Sequence, residues 1–216
     1  MIPRQIEGPL RKCFRDYPVV TLTGPRQSGK TTLVRATFPD KPYTNLEHPG
    51  TREFAQNDPE AFLAQFPEGA VIDEIQRVPQ LTSYIQVIVD EKGSNGHYVL
   101  TGSHQFSLRE AVNQSLAGRT AILRLLPLSL TELRQHHPLP DVDTLLWQGL
   151  YPRVQTQGIA PSQAYSDYFE TYIERDLRHI LQIKDLSLFQ RFVRLCAGRV
   201  GQLVNLNSLA ADTGIT

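Results

Sequence analysis

Gly24, Gly29, Lys30 and Thr31 stand at the spacing G-x-x-x-x-G-K-[ST], a pattern whose chemistry is the holding of phosphate. Each position meets a physical demand. Gly24 lets the chain leave a strand sharply, because it has no Cβ to forbid positive φ. Gly29 keeps bulk away where the backbone must approach phosphate oxygens. The amides of Gln27, Ser28, Gly29, Lys30, Thr31 and Thr32 then face inward at the start of a helix, where the dipole also favours an anion. Lys30 can reach the β- and γ-phosphates of a nucleoside triphosphate, and Thr31 Oγ can ligate Mg²⁺. The four fixed positions arise by chance in roughly one chain of this length in a hundred. The β-branched run 19–23 before them and the helix-forming run 31–37 after them lower that further.

A second chemical signal follows 43 residues after Lys30, in Gly69-Ala70-Val71-Ile72-Asp73-Glu74. An unbroken apolar run ending in two acids suits a strand buried on both faces, with its carboxylates at the C-terminal edge, where open α/β sheets bind ligands. Asp73 is placed to hold Mg²⁺, and Glu74 to orient or deprotonate an attacking water. A third polar strand end is Thr101-Gly102-Ser103-His104. Ser103, or alternatively Thr101, is placed to sense the γ-phosphate or hold the water; a Ser/Thr helix cap is the competing reading. Arg119 lies between a helix and a fifth apolar strand. It reads either as a surface arginine or as a cation at the sheet rim that reaches a nucleotide in a neighbouring subunit.

These residues need a scaffold of alternating strands and helices. Residues 3–16 predict an amphipathic helix with Ile6, Leu10, Cys13 and Phe14 on one side, ended by Tyr17-Pro18. Strands are expected near 19–23, 43–46, 69–74, 97–101 and 120–126. Helices are expected over 29–37, 50–57, 59–65, 79–91 and 108–116, and a capped helix over 129–136 begins with the capping box Ser129-Leu130-Thr131-Glu132. His136-His137-Pro138-Leu139-Pro140-Asp141 reads as a linker. Beyond it the pattern is helical: 141–148, 161–182 and 186–199. Tyr165, Tyr168, Phe169, Tyr172, Ile173, Leu177 and Ile180 form an apolar stripe on the long helix. Glu174 and Arg178 form an i,i+4 pair there, and Arg175-Asp176 reads as surface charge or as an arm toward the nucleotide. The last residues open a helix-turn-helix, with Asn207 or Ser208 as cap, Gly214 as turn and Thr216 capping a recognition helix that is absent.

Composition narrows the class. Hydrophobic residues make up 40% and charged residues 20%, which suits a soluble globular chain with ample core. The 22 basic and 22 acidic residues cancel, so net charge gives no sign of nucleic acid. No run approaches the length needed to span a membrane, and the N-terminus lacks a secretion signal. Cys13 and Cys196 have no ligand-spaced neighbours; each is expected to be a small buried apolar residue in a reducing, cytoplasmic compartment.

Five blocks in order resemble the prokaryotic AAA-type P-loop ATPases that carry a C-terminal domain of unknown function. They are Leu22-Thr23-Gly24-Pro25-Arg26-Gln27 with Gly29-Lys30-Thr31-Thr32-Leu33; Ile72-Asp73-Glu74-Ile75-Gln76-Arg77-Val78-Pro79; Leu100-Thr101-Gly102-Ser103; Ser115-Leu116-Ala117-Gly118-Arg119; and Tyr172-Ile173-Glu174-Arg175-Asp176. The resemblance implies an α/β P-loop NTPase three-layer sandwich. Its five-stranded parallel sheet would set the sensor strand between the two Walker strands, and a smaller all-helical region would follow. It also implies Mg-ATP as ligand, catalysis through Glu74, an arginine finger near Arg119, and a homo-oligomer. The expected division is 1–137 for the ATPase domain, 138–200 for a helical domain and 201–216 for the start of a winged helix. Family members continue further, so the chain is expected to be truncated, with any DNA or protein partner engaged through the remainder. The function expected is Mg-ATP hydrolysis by a motor or switch. The rivals are a nucleotide-gated regulator with little turnover and a small-molecule phosphotransferase, which explains Glu74 poorly.

Overall fold

The run Val19–Gly24 forms the central strand of the protein (β1), and all six of its positions are buried. Its neighbours were obtained from a computed structural model that describes residues 2–103, 115–173 and 186–214. The expected helix over 108–116 falls largely outside these residues, as do Leu177, Ile180, Glu174, Arg175, Asp176, Arg178 and Thr216. The chain divides into two compact units, Met1–Pro161 and Ser162–Thr216.

In the first unit, β1 is joined by β2 (Tyr43–Asn45), β3 (Val71–Asp73), β4 (Tyr98–Ser103) and β5 (Thr120–Arg124). The strands form one five-stranded sheet in the order β2-β3-β4-β1-β5, and every pairing is parallel. β4 therefore lies between the strand carrying the phosphate-loop residues and the strand ending in Asp73, as expected. Helices cover both faces. Helix α1 (Glu7–Asp16) and helix α2 (Lys30–Thr37) pack Leu10, Leu33 and Val34 against Val20, Leu22, Val71 and Val99. On the other face lie α3 (Pro49–Asn57), α4 (Pro59–Ala64) and α5 (Leu81–Lys92). They bring Ala55, Phe62, Leu63, Leu81 and Ile85 against Val19, Ile72, Tyr98 and Leu100. Alternate residues of each strand thus enter opposite cores, which is why the strands read as continuous apolar runs. The protein has the three-layer α/β architecture of P-loop NTPases.

Helix α1 begins at Glu7 rather than at residue 3. Pro9 supplies the reason: it lacks the amide that an earlier start would require it to donate, but is tolerated in the first turn. The residues before Glu7 are drawn elsewhere, through Arg4. Cys13 and Cys196 are free thiols, and each is only partly buried, Cys13 at the edge of the α1 core, where buried residues were expected.

Gly24 shows a requirement beyond backbone freedom. A Cβ built there would stand 2.1 Å from the Leu125 carbonyl oxygen, so β5 can run beside the end of β1 only if residue 24 has no side chain. Gly24→Ala is expected to lower stability by about 1–3 kcal/mol through overpacking, as read by chemical denaturation. Gly29 differs: the nearest atom to its Cβ would be 3.7 Å away, and it needs glycine for its φ of +93°.

After β5 the chain enters α6 (Leu130–His136), whose capping box is formed as expected by Ser129 and Glu132. Helices α7 (Val142–Gln148) and α8 (Pro152–Gln157) follow; α8 has no counterpart in the sequence reading. Leu139, Leu145 and Leu150 pack against Leu128 and Leu133, so the segment after the proline-rich linker belongs to the first compact unit. The second unit contains helix α9 (Pro161–Tyr168), which begins at the boundary and runs into a π-helical turn, Phe169–Ile173. Helices α10 (Leu186–Ala197) and α11 (Leu206–Thr213) complete it. The cap of α11 is Asn205, whose side chain accepts the Ser208 amide, rather than Asn207 or Ser208. Gly214 ends that helix in the left-handed conformation expected of a turn glycine. Among the described residues no helix is long and apolar enough to cross a membrane.

Candidate functional site

Strand parity assembles the site. In β3, Val71 faces the α2 side and Ile72 the α5 side, so Asp73 returns to the α2 side. In β4 the same alternation puts Val99, Thr101 and Ser103 on that side. All three polar groups therefore meet at the C-terminal edge of the sheet, where α2 begins.

Asp73 is buried, with 1% of its surface exposed, and is held by three hydroxyls. Thr31 Oγ1 donates to Oδ2 at 2.7 Å, Tyr43 Oη donates to the same oxygen at 2.8 Å, and Thr101 Oγ1 donates to Oδ1. Burial, aided by the Asp73 contact, pushes the Tyr43 phenol well above its ordinary range and keeps it a donor. Thr31 and Asp73 together offer a hydroxyl and a carboxylate, hard oxygens that suit Mg²⁺, an ion that takes its remaining ligands from water and phosphate.

Lys30 is also buried, and its Nζ donates to the Gly24 and Pro25 carbonyls, each at 3.0 Å. Burial depresses its pKa, while the carboxylates of Glu74 and Asp73 act in the opposite direction. A compact ammonium resting on two neutral carbonyls beside two acids is poised to exchange them for an anion. Ser28 Oγ lies buried without a hydrogen-bond partner in the same loop. The only described non-glycine residues with positive φ are Gln27 at 59° and Glu74 at 60°, both at this site. Left-handed backbone at such residues costs about 1–3 kcal/mol and is characteristic of functional sites.

Glu74 donates its amide to Thr101 Oγ1 at 3.4 Å, and its carboxylate accepts from Gln76 Nε2. Burial raises the Glu74 pKa, against the lowering influence of Gln76 and Lys30. Gln76 Nε2 also donates to Ser103 Oγ at 3.1 Å, so one amide links the two groups, while Gln76 Oε1 is buried and unpartnered. Thus Gly24, Gln27, Ser28, Gly29, Lys30, Thr31 and Thr32 surround one loop, with Asp73, Glu74 and Ser103 beside it.

Residues 16–134 match the AAA domain family, more than half of the chain. The chain belongs to the AAA-type P-loop ATPases. Residues 139–216 match a domain of unknown function, so the two family matches change over at the proline-rich linker. Uncharacterized proteins of Mycobacterium tuberculosis and Mycobacterium bovis are each 30% identical over an alignment that covers 98% of this chain and 48% of theirs. An uncharacterized protein of Haemophilus influenzae is 27% identical over 150 residues, covering 65% of this chain and 37% of its own length. The chain spans about half the length of the curated relatives it matches, or less. Among solved structures, a Walker-type ATPase of Pyrococcus abyssi shares the fold. Its TM-score is 0.62 at 14% identity, over 99% of this chain and 89% of that one.

In this AAA-type chain Arg119 does not join the other candidate residues. Its carbonyl accepts the Val19 amide, which puts it at the N-terminal end of β1, roughly 16 Å along the strand from Gly24. Its guanidinium pairs with Asp90 through two bonds, at 2.5 and 2.7 Å, and donates to the Ala117 carbonyl. A contact from Arg119 to the phosphate loop of its own subunit is therefore excluded by strand direction. Tyr43 and Gln76 were not singled out from the sequence. Tyr43 sits in a short strand with nothing local to mark it, whereas the acid–x–amide spacing of Glu74 and Gln76 was a signal within reach.

Proposed function

We propose that this chain binds Mg-ATP in the loop around Lys30 and hydrolyses its terminal phosphoanhydride. The observation that carries this reading is the convergence of Lys30, Thr31, Asp73, Glu74 and Ser103 on one end of the sheet. The loop amides cradle the phosphates. Lys30 leaves the Gly24 and Pro25 carbonyls for β- and γ-phosphate oxygens and stabilises charge in the transition state. Thr31 and Asp73 hold the metal, which when bound neutralises phosphate charge. Glu74 orients water and accepts its proton as oxygen attacks the γ-phosphorus and the bond to ADP breaks. Ser103 contacts the γ-phosphate, and Gln76 connects it to Glu74. The hydrolysis drives a motor or switch.

The test is release of inorganic phosphate from ATP by the purified chain, alongside equilibrium nucleotide binding. Tight binding with negligible phosphate release would favour a nucleotide-gated regulator. Transfer of labelled phosphate to a small molecule would favour a phosphotransferase.

Arg119 enters this scheme only from a neighbouring copy. Arg119→Ala is expected to leave ATP affinity unchanged, while turnover loses its dependence on protein concentration. Titrating enzyme concentration at saturating ATP checks this; weaker ATP binding by the variant than by the parent at high dilution would contradict the assignment.

A further inference from the structure

The segment ahead of α1 reaches the phosphate loop through one side chain. The Arg4 side chain is 7% exposed and that of Glu132, beside it, 5%. Arg4 Nη1 donates to the Ser28 carbonyl at 2.8 Å, and Nη2 donates to the Leu126 and Pro127 carbonyls at 2.6 and 3.2 Å. Its Nε lies 3.2 Å from Glu132 Oε1. Glu132 is itself fixed by the amides of Gln5 at 2.7 Å and Ser129 at 2.8 Å.

In a trans peptide the C=O and the following N–H point in opposite directions. A donor that holds the Ser28 oxygen outward therefore turns the Gly29 N–H inward, toward the anion. Gly29, which supplies the amide of this peptide, has positive φ, as does Gln27 just before Ser28, so the orientation of the peptide is not set by ordinary helix or strand geometry. Lys30 serves the Gly24 and Pro25 carbonyls but must abandon them for phosphate, whereas Arg4 stays. Glu132 balances the Arg4 charge and keeps the guanidinium outside the phosphate site.

We infer that Arg4 is a positioning residue for the phosphate-binding loop, holding the Ser28–Gly29 peptide with its amide facing the nucleotide before binding and tying that loop to the chain entering α6. This rests on the ATP-binding reading above. The purified chain and its Arg4→Ala, Arg4→Lys and Asp58→Ala variants are to be compared for ATP affinity by calorimetry, for thermal melting, and for ¹⁵N order parameters of residues 26–30 without nucleotide. Arg4→Ala is expected to bind ATP about ten-fold more weakly, a loss that added guanidinium ion restores. Its order parameters at 26–30 should fall. Lysine cannot fork to the same carbonyls, so Arg4→Lys should bind weakly as well. Asp58→Ala uncaps α4, on the other face of the sheet, and should melt earlier with unaltered ATP affinity.

Unchanged affinity and unchanged loop order in Arg4→Ala would overturn the inference. So would a loss of affinity that tracks melting equally in Arg4→Ala and Asp58→Ala without guanidinium rescue. If Arg4→Ala fails to fold, Arg4→Lys decides on the same two measurements. A parent chain that binds no ATP rejects the nucleotide reading, and the order parameters then decide on Arg4 separately.

Discussion

Glu74→Gln is expected to bind ATP as the parent does and to lose turnover by about 10²–10⁴-fold, the usual contribution of a general base. The substitution removes charge and basicity while preserving shape. Gln76 Nε2 can still donate to the oxygen of the new side chain, and the Glu74 amide retains Thr101 Oγ1. The left-handed backbone at residue 74 is unaffected by an isosteric change. Single-turnover phosphate release, with affinity measured by a fluorescent nucleotide, separates the two effects. A variant that hydrolyses ATP at the parental rate would show that another group handles the water.

The second large effect is expected at Lys30. Lys30→Ala should abolish measurable ATP binding, because it removes the ammonium that lies against the loop carbonyls and feels the charge of Glu74 and Asp73. Its cost to the nucleotide-free fold should be small. The variant gives up two hydrogen bonds to Gly24 and Pro25, yet it also relieves the burial of a charge whose pKa burial already depresses. Thermal melting reads both. ATP at a hundred times its dissociation constant should stabilise the parent by about 2.7 kcal/mol, and the same ATP should leave the variant's melting temperature unmoved. An equal ATP-induced shift in both proteins would exclude Lys30 as the phosphate contact.

The other expectations test different links. Gly24→Ala probes the packing of β5 against β1, and Arg119→Ala asks whether a second copy completes the site. The Arg4 variants ask whether the loop is preorganised from outside.

The sequence by itself determined those features whose cause is contiguous. The loop 24–32, the apolar run ending in Asp73-Glu74, the capping box at Ser129 and Glu132 and the turn at Gly214 each depend on residues within a few positions of one another. So does the presence of five strands, since a strand buried on both faces must be apolar along its length. Tertiary structure decided which of these pieces meet. The order β2-β3-β4-β1-β5 and the two-residue alternation of strand side chains bring Tyr43, Thr101 and Thr31 to one carboxylate from three distant segments. Strand direction carries Arg119 to the opposite edge, although in the chain it adjoins β5 as closely as Gly24 adjoins the loop. Arg4 lies 24 positions from Ser28 and more than 120 from Leu126, so no local pattern could join them. The phosphate loop is local because backbone amides a few bonds apart must converge on one anion. The groups that hold, neutralise and tune it are not, because a sheet edge gathers its residues by position in space.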